Sequence, residues 1–464
     1  MRHLLNTYIL PEKVDASWAL KLALSCVVPL AVLVWRPLSL EPHQAAVTAA
    51  VLLTIIWWST GIVKKIPASI FLSLAFCLVS GAGLRTVFAF PLSETFPMIV
   101  ITYLFSRAIS NAGITDRILR PMLLKLVHTP MECLIAIIGS FFLLMYVVPQ
   151  PLARLIIVAA VFDHFLKKAD LRDESYATLM YGVFLFYAVV NMSAKDADMI
   201  MNHVAAGFAE SLITNGMWVK AMFVPTLAAC AAILALFLLI FRRELKGCRI
   251  TEDDDEVPQP FTTRQKLALV IICATVVLWM TSSLHGLNST LVTLVATALL
   301  FCVGVLHVGD FDAIDITTLV FLTAAFSIGG VMKACGAADK VFGALQGLFP
   351  SQLSIGYILI MVLVGILLHM VLGSNTTTLS VVVPGMMILC GGLLPEDVIV
   401  YIAIVSVSAH AILPFHSVAL MIGSSDGYFP SRYAIRLGVP MTFVIFALAV
   451  GVYLPWWRLI GLLG

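Results

Sequence analysis

Charged residues are scarce in this chain: Asp, Glu, Lys and Arg make up 12% of its 464 residues, whereas 61% are hydrophobic. The mean hydropathy of +1.03 is typical of an all-α polytopic membrane protein. We therefore expect an integral membrane protein whose surroundings are the lipid bilayer, with no nucleic-acid partner.

Recognisable catalytic and metal-binding motifs are also missing. The nine cysteines form no CxxC pair and no Cys/His cluster, so neither a metal centre nor a disulfide framework is expected. The sequence contains no Gly-x-Ser-x-Gly, no HExxH and no phosphate-binding glycine loop. The sequence therefore predicts no enzyme and no cofactor other than a coupling ion.

What the chain does have is a series of apolar segments, several of them shorter than the about 20 residues that cross a bilayer. The short segments come in pairs: 130–148 with 152–166, 176–190 with 198–210, 353–372 with 378–393, and 396–413 with the piece after Val418. Broken elements at matching places in two halves indicate inverted repeats with a binding site between them. The first and third pairs are predicted to be re-entrant hairpins.

The basic residues support this map. With the N-terminus in the cytoplasm and two hairpins that do not cross, 20 of the 28 Lys and Arg residues lie on the cytoplasmic side and six lie outside, a bias that follows the positive-inside rule. The exceptions placed outside are Arg36, Arg85, Lys220, Lys333, Lys340 and Arg458. The map gives about 11 transmembrane helices, and a bacterial inner membrane is the expected location.

The hydrophilic stretch 242–266 carries mixed charge and two prolines, and we interpret it as a cytoplasmic linker between the repeats. The predicted organisation is an N-terminal segment with the first helix (1–36), a first repeat (37–241, hairpin 130–166), the linker, and a second repeat (267–464, hairpin 353–393). Segments 109–127 and 333–348 carry charges at helical spacing, which favours amphipathic helices along the membrane surface.

A Gly-Ser-Asn-Thr-Thr-Thr cluster (373–378) separates the two halves of the second predicted hairpin. In lipid, irregular polar backbone persists only where it lines a cavity. The helix that restarts there presents free N–H groups to an anion, and Ser374, Asn375, Thr376 and Thr377 add neutral donors. Asn375 and nearby carbonyls would equally suit Na⁺, a hard cation. A kink or a close-packed patch of small residues is the structural alternative.

Two basic residues, Arg154 and Lys195, fall on neither membrane face. Arg154 follows the turn of the first hairpin, just after Gln150, and Lys195 lies in the break after 176–190 together with Asn191 and Ser193. Basic groups at membrane depth usually face a partner or an aqueous cavity. An anion site is one interpretation; an internal ion pair with Asp196 or Asp198 is the other.

The last break, 412–425, contains a proline at 414, which removes one N–H and unwinds the helix. His416 and Ser417 then lie on exposed backbone. His416 would donate to an anion or carry a coupling proton, or would only satisfy a freed carbonyl.

These residues resemble the divalent anion/sodium symporter family, within the ion transporter superfamily. SNTTTLSVVVPG (374–385) matches the Ser-Asn-Thr signature of that family, and the segments 39–81 and 408–446 resemble its membrane helices. The resemblance implies two inverted repeats, a homodimer, and an elevator motion of a transport domain against a scaffold. It also implies a cation site at Gly373, Asn375 and the backbone of His416, and substrate contacts at Ser374, Asn375, Thr376 and Ser417.

The first hairpin departs from the family pattern, with Val-Pro-Gln-Pro in place of Ser-Asn-Thr, and both breaks lack Thr-Pro-Pro. We hypothesise that Arg154 or Lys195 replaces the first sodium. The expected function is secondary transport of a small di- or polyvalent anion, dicarboxylate-like or sulfate-like, with one or no coupling sodium. The alternatives are a sodium-independent exchanger, a proton-coupled carrier, and a scaffold or sensor that no longer transports.

Overall fold

The computed structural model describes residues 16–93, 95–113, 123, 125–148, 150–169, 171–209, 213–250, 261–281, 285–345, 347, 349–350, 352–372, 375–390, 392–413 and 416–463. Within these ranges the chain is helical and contains no β-strand. The predicted all-α fold class is therefore confirmed. The predictions for Gly373, Ser374, most of the helix 109–127 and the middle of the linker concern residues outside these ranges.

The described helices, numbered in chain order, are α1 (Ala16–Trp35), α2 (Pro42–Thr60), α3 (Lys65–Val79), α4 (Leu84–Val87), α5 (Thr95–Ala112), α6 (Pro130–Leu144), α7 (Pro151–Lys168), α8 (Asp173–Val190), α9 (Met201–Ala206), α10 (Asn215–Ile240), α11 (Thr263–Met280), α12 (Ser289–Cys302), α13 (Ile316–Ala334), α14 (Ala337–Leu345), α15 (Ile355–Leu372), α16 (Asn375–Cys390), α17 (Glu396–Ser408), α18 (Val418–Ser425), α19 (Arg432–Leu448) and α20 (Leu454–Leu459).

Local sequence explains where the first hairpin begins and turns. Thr129 and Glu132 form a reciprocal capping box before α6, and Pro130 occupies the first helical position, where its missing N–H costs nothing. After the turn, Pro151 plays the same part at the start of α7, and the Gln150 side chain accepts from the Ala153 N–H. Both helices of this hairpin thus start at sites set by one proline and one cap.

Five described helices are long and apolar enough to cross a membrane by length and composition: Trp18–Trp35, Asp173–Ser193, Asn215–Ile240, Ile316–Ala334 and Arg432–Leu459. Three of the four hairpin helices, α6, α15 and α16, are among the shorter apolar helices. The chain therefore combines long and short apolar helices, as the sequence predicts.

The buried apolar residues form two large clusters. The smaller one draws on α2 to α5 with α13 and α14, and includes Val47, Leu72 and Phe321. The larger one draws on both hairpins and the helices around them, and includes Phe141 and Tyr401. The two cores share helices, since α5 contributes to both, and Val204 of α9 and Leu372 of α15 belong to the smaller one.

The two hairpins pack in the same way. Helices α6 and α7 lie on α8, the helix that follows them, and α15 and α16 lie on α17. The short helix after each break crosses to the other half, since α9 packs on α16 and α18 packs on α8. The breaks and the hairpins of the two halves are thereby brought into one region of the larger core.

Polar contacts also join distant loops that the sequence map assigns to the same membrane face. They pair Arg107 with Asp310, Arg436 with Glu244, Lys340 with the Ser39 carbonyl, and the Trp456 indole with the Lys220 carbonyl. The relative sidedness of these loops is thus consistent with the map.

Candidate functional site

Arg154, the residue that the sequence singles out after the first hairpin turn, is fully buried at 0% exposure. Its Nη1 donates to the carbonyls of Val148 at 2.7 Å and Met145 at 3.4 Å, both in the hairpin turn. Its Nη2 donates to Asn191 Oδ1 at 2.7 Å and to the Ala197 carbonyl, both in the first break. The guanidinium therefore ties the hairpin turn to the break through four oxygens.

Asp198 supplies negative charge to this network. Its Oδ1 accepts from the N–H groups of Ile200 and Met201 at 3.0 and 2.8 Å, and Asn191 Nδ2 lies 3.4 Å from its Oδ2. The carboxylate is buried and acts electrostatically on Arg154. Asn191 thus links the guanidinium to the carboxylate indirectly, rather than through the direct ion pair that the sequence left open.

The remaining predicted residues of the first half lie around this network. Gln150 is buried, and its backbone N–H donates to Ser106 Oγ at 3.1 Å. Ser193 is buried, with its hydroxyl 3.5 Å from Met145 Sδ. Lys195 is separate: its Nζ donates to the Ile213 carbonyl at 2.9 Å, and its charge interacts with Asp196. The structure therefore groups Gln150, Asn191 and Ser193 near Arg154 and leaves Lys195 outside.

In the second half, Asn375 and Thr377 are buried at the start of α16, and Thr376 is half-buried. Asn375 Oδ1 and Thr377 Oγ1 accept no hydrogen bond of normal geometry from the described residues, and the Asn375 side chain lies beside the His369 ring. Buried polar atoms are rarely left unpaired without a reason, such as a missing ion or water. This half thus presents two side-chain oxygens without described partners, where the first half presents a guanidinium with four of its five N–H donors engaged.

Three histidine rings lie together near the start of α16. His369 is on α15, and His410 and His416 lie at the last break, between α17 and α18. His369 Nε2 lies 3.0 Å from the His416 carbonyl, and the rings of His369 and His410 lie 5.9 Å apart. His416 Nδ1 accepts from the Ile412 and Leu413 N–H groups at 3.4 and 3.3 Å. His416 therefore organises the unwound backbone, while Ser417 starts α18.

A family model for the sodium:sulfate symporter transmembrane region matches residues 15–463. The chain belongs to the sodium:sulfate symporter family. The family resemblance read from the sequence is thereby confirmed, as is an integral membrane protein of a transporter family.

A solved structure with a similar fold is the Alcanivorax borkumensis YdaH transporter, whose crystal structure is described as having an unusual topology. It aligns with a TM-score of 0.56 at 15% identity, covering 89% of this chain and 98% of that chain. The search among curated proteins found no match. The fold of this chain is therefore similar to that of a membrane transporter.

Two residues of the site, Asn202 and Tyr103, were not predicted from the sequence. Asn202 donates to the Asn191 and Ala194 carbonyls at 2.7 and 2.8 Å and so fixes the unwound break. Tyr103 of α5 is buried, and its side chain lies close to those of Gln150 and Thr318, so it connects the hairpin turn to α13. In the sequence, the signal for Asn202 is an amide side chain four residues after Asp198. No local sequence pattern marks Tyr103.

The arrangement offers oxygen ligands to hard cations and has little to offer transition metals. Among the described residues, no group of three or more His, Cys, Asp or Glu side chains is placed to hold a metal ion. Carbonyl, amide and hydroxyl oxygens surround both helix restarts. Such oxygens suit an alkali cation or a guanidinium.

Proposed function

We propose that this chain is a secondary active transporter that moves a small di- or polyvalent anion, dicarboxylate-like or sulfate-like, by an elevator mechanism with one or no coupling sodium. Family membership supports transport of this class. It functions in a plasma membrane, the bacterial inner membrane, as a homodimer with a cytoplasmic N-terminus. It catalyses no covalent chemistry.

The observation that carries the low sodium count is the oxygen cage around Arg154. Three carbonyls and the Asn191 amide oxygen, from the hairpin turn and from the break, converge on one guanidinium. A hard cation bound between these two segments would need the same oxygens. Because the guanidinium is covalently attached and always charged, it provides fixed positive charge there without an ion.

The second half is the proposed place of the one remaining sodium. The free Oδ1 of Asn375 and the backbone of His416 would be its ligands, together with Gly373. The anion would contact Ser374, Thr376, Thr377 and Ser417 from this half. From the first half it would meet Gln150, Asn191, Ser193 and the positive charge of Arg154, whereas Lys195, which lies outside this group, would act only at longer range.

The elevator motion is supported by the division into two cores. The larger core holds most of both hairpins with α8 and α17, as a transport domain would, together with α11, α12 and the second half of α5. The smaller core holds α2 to α4, the first half of α5, α13 and α14, as a scaffold would. The proposed boundaries remain 37–241 for the first repeat, 242–266 for the linker and 267–464 for the second repeat.

A thermal-shift screen of the purified protein tests this function. We expect sulfate or a dicarboxylate to raise the unfolding temperature, and Na⁺ to strengthen the effect modestly. The matched control is Asn375→Ala, which removes the free amide and should abolish the sodium effect. Stabilisation by no anion in the panel would contradict the proposal.

A transport-inactive scaffold or sensor is the second candidate, because four of the five N–H donors of Arg154 are already engaged in the protein. It predicts no flux in liposomes and no anion-dependent stabilisation. An exchanger or proton-coupled carrier predicts flux without sodium; exchange additionally requires an anion on the far side.

A further inference from the structure

A cavity lies away from the proposed transport site, where α10 ends and α19 begins. It has a volume of about 340 Å³ and is lined by Leu239, Ile240, Arg242, Arg243 and Arg436. The sequence map assigns this end of both helices to the cytoplasmic membrane face. Three arginines thus line a cavity at the point where an apolar helix leaves the bilayer.

One of the three arginines is held in place by the protein. Arg436 donates to the Glu244 carboxylate and to the Ile240 carbonyl, the latter at 2.5 Å, and its guanidinium carbon lies 4.9 Å from the centre of the Phe241 ring. Burial acts to raise the pKa of Glu244, but the hydrogen bond and charge of Arg436 and the charge of Arg243 outweigh it and keep that pKa low. Glu244 therefore carries its charge and neutralises one arginine only.

The other two arginines are free to bind. Arg242 and Arg243 are exposed, and neither side chain donates a hydrogen bond to another described residue. With three guanidinium groups against one carboxylate, the cavity keeps an excess of positive charge. Guanidinium groups bind phosphate oxygens in pairs, which lysines do less well.

The apolar part of the lining indicates what kind of phosphate fits. Leu239 is 64% exposed, and it stands on the membrane-spanning helix next to the two free arginines. A water-soluble phosphate would gain nothing from this side chain, whereas the glycerol and acyl carbons of a lipid would cover it. Basic pockets at the cytoplasmic ends of membrane helices recognise acidic headgroups in this way.

We infer that this cavity binds the phosphate headgroup of an anionic phospholipid, with Arg242 and Arg243 on the phosphate and Leu239 against the acyl chain. Arg436 would complete the site from α19, so that the lipid bridges α10 and α19. These helices contact each other, and α10 also contacts the 191–193 turn. Occupancy should therefore stabilise helices that support the first break.

The test measures thermal stabilisation of the full chain in neutral detergent during titration with phosphatidylglycerol, with phosphatidylcholine of the same chains, or with inorganic phosphate. We expect phosphatidylglycerol alone to stabilise the wild type at low concentration. At about 1 kcal/mol for each basic residue, Arg242→Gln/Arg243→Gln should weaken this effect about thirty-fold. Lys125→Gln/Arg249→Gln removes the same charge from exposed positions outside the cavity and should leave the effect unchanged.

Three results would overturn the inference: equal stabilisation by both lipids, an undiminished effect in the Arg242/Arg243 variant, or equal stabilisation by inorganic phosphate, which would indicate a soluble-anion site. If the double variant does not fold, Arg242→Gln and Arg243→Gln are measured singly, each with about a five-fold expected loss. The assay requires no transport, so its result is independent of the function proposed above.

Discussion

At the scale of single residues, Arg154 shows how a charge is accommodated at membrane depth. A buried guanidinium is costly unless its donors are satisfied and a counter-charge lies nearby. Here four oxygens accept from it and Asp198 provides the counter-charge. The same side chain can thus fix the hairpin turn and supply positive charge to an anion.

Replacement of Arg154 by Met should therefore be strongly destabilising. It leaves buried oxygens without donors and Asp198 without its counter-charge, and the expected loss is about 3 kcal/mol or more. Thermal unfolding in detergent measures it, with Arg85→Met at an exposed position as the control. An unfolding temperature equal to that of the wild type would show that the network is not structural; partial rescue by adding Asp198→Asn is expected.

Asp310 gives a pH-dependent prediction at the same scale. Burial acts to raise its pKa, but hydrogen bonds from the His307 N–H, Asn111 and Arg107 outweigh it, so the pKa lies below its usual value. A lowered folded-state pKa contributes stability above the unfolded value of about 4, and this stability is lost as the pH falls through the folded value.

Asp310→Asn should therefore lower the unfolding temperature at pH 7, by the equivalent of about 1 kcal/mol because Arg107 is half-exposed. The difference from the wild type should shrink as the pH is lowered below 4. The exposed Asp312→Asn variant is the control. A difference that stays constant with pH would contradict the assigned role of the ionised carboxylate.

At the scale of elements, each hairpin approaches its neighbouring helix closely at a glycine. A Cβ on Gly365 of α15 would lie 2.3 Å from Ser406 Oγ and 3.0 Å from Ser406 Cβ on α17. On Gly182 of α8 it would lie 2.6 Å from Leu134 Cδ2 on α6, the far end of a flexible side chain. Glycine is thus required more strictly in the second half than in the first.

Gly365→Ala should destabilise the protein by about 1–3 kcal/mol through overpacking, and Gly182→Ala by less. Gly139→Ala is the matched control, because its Cβ meets nothing within 4 Å and alanine favours the helix. Thermal unfolding of the three variants checks the order. Addition of Ser406→Gly should recover stability in the Gly365 variant; failure to do so would place the clash elsewhere.

The positions of these elements were largely predictable, and their partners were not. Apolar runs, Pro130, Pro151 and the caps at Thr129 and Gln150 specify where the hairpin helices begin, since those signals are local. The contacts of Arg154 with Ala197 and of Tyr103 with Gln150 join residues far apart in the chain. Sequence periodicity carries no information on such pairs, so the network around Arg154 required the structure.

At the scale of the whole molecule, the two halves of the site differ in the polar groups that they present. The first half holds its oxygens against a fixed cation, and the second leaves Asn375 Oδ1 and Thr377 Oγ1 without described partners. Two structurally similar halves would therefore differ in their need for an ion. Because of this difference, we expect at most one sodium ion to move with each anion.

The sodium dependence of anion uptake into proteoliposomes tests that claim most directly. Initial rates of labelled sulfate and succinate uptake are measured against Na⁺ concentration at constant ionic strength. We predict that the uptake rate depends hyperbolically on Na⁺ concentration, with a Hill coefficient of about 1, or does not depend on it at all. A sigmoidal dependence that requires two or more Na⁺ per anion would contradict this prediction. A second sodium would need the oxygens that the guanidinium of Arg154 already occupies.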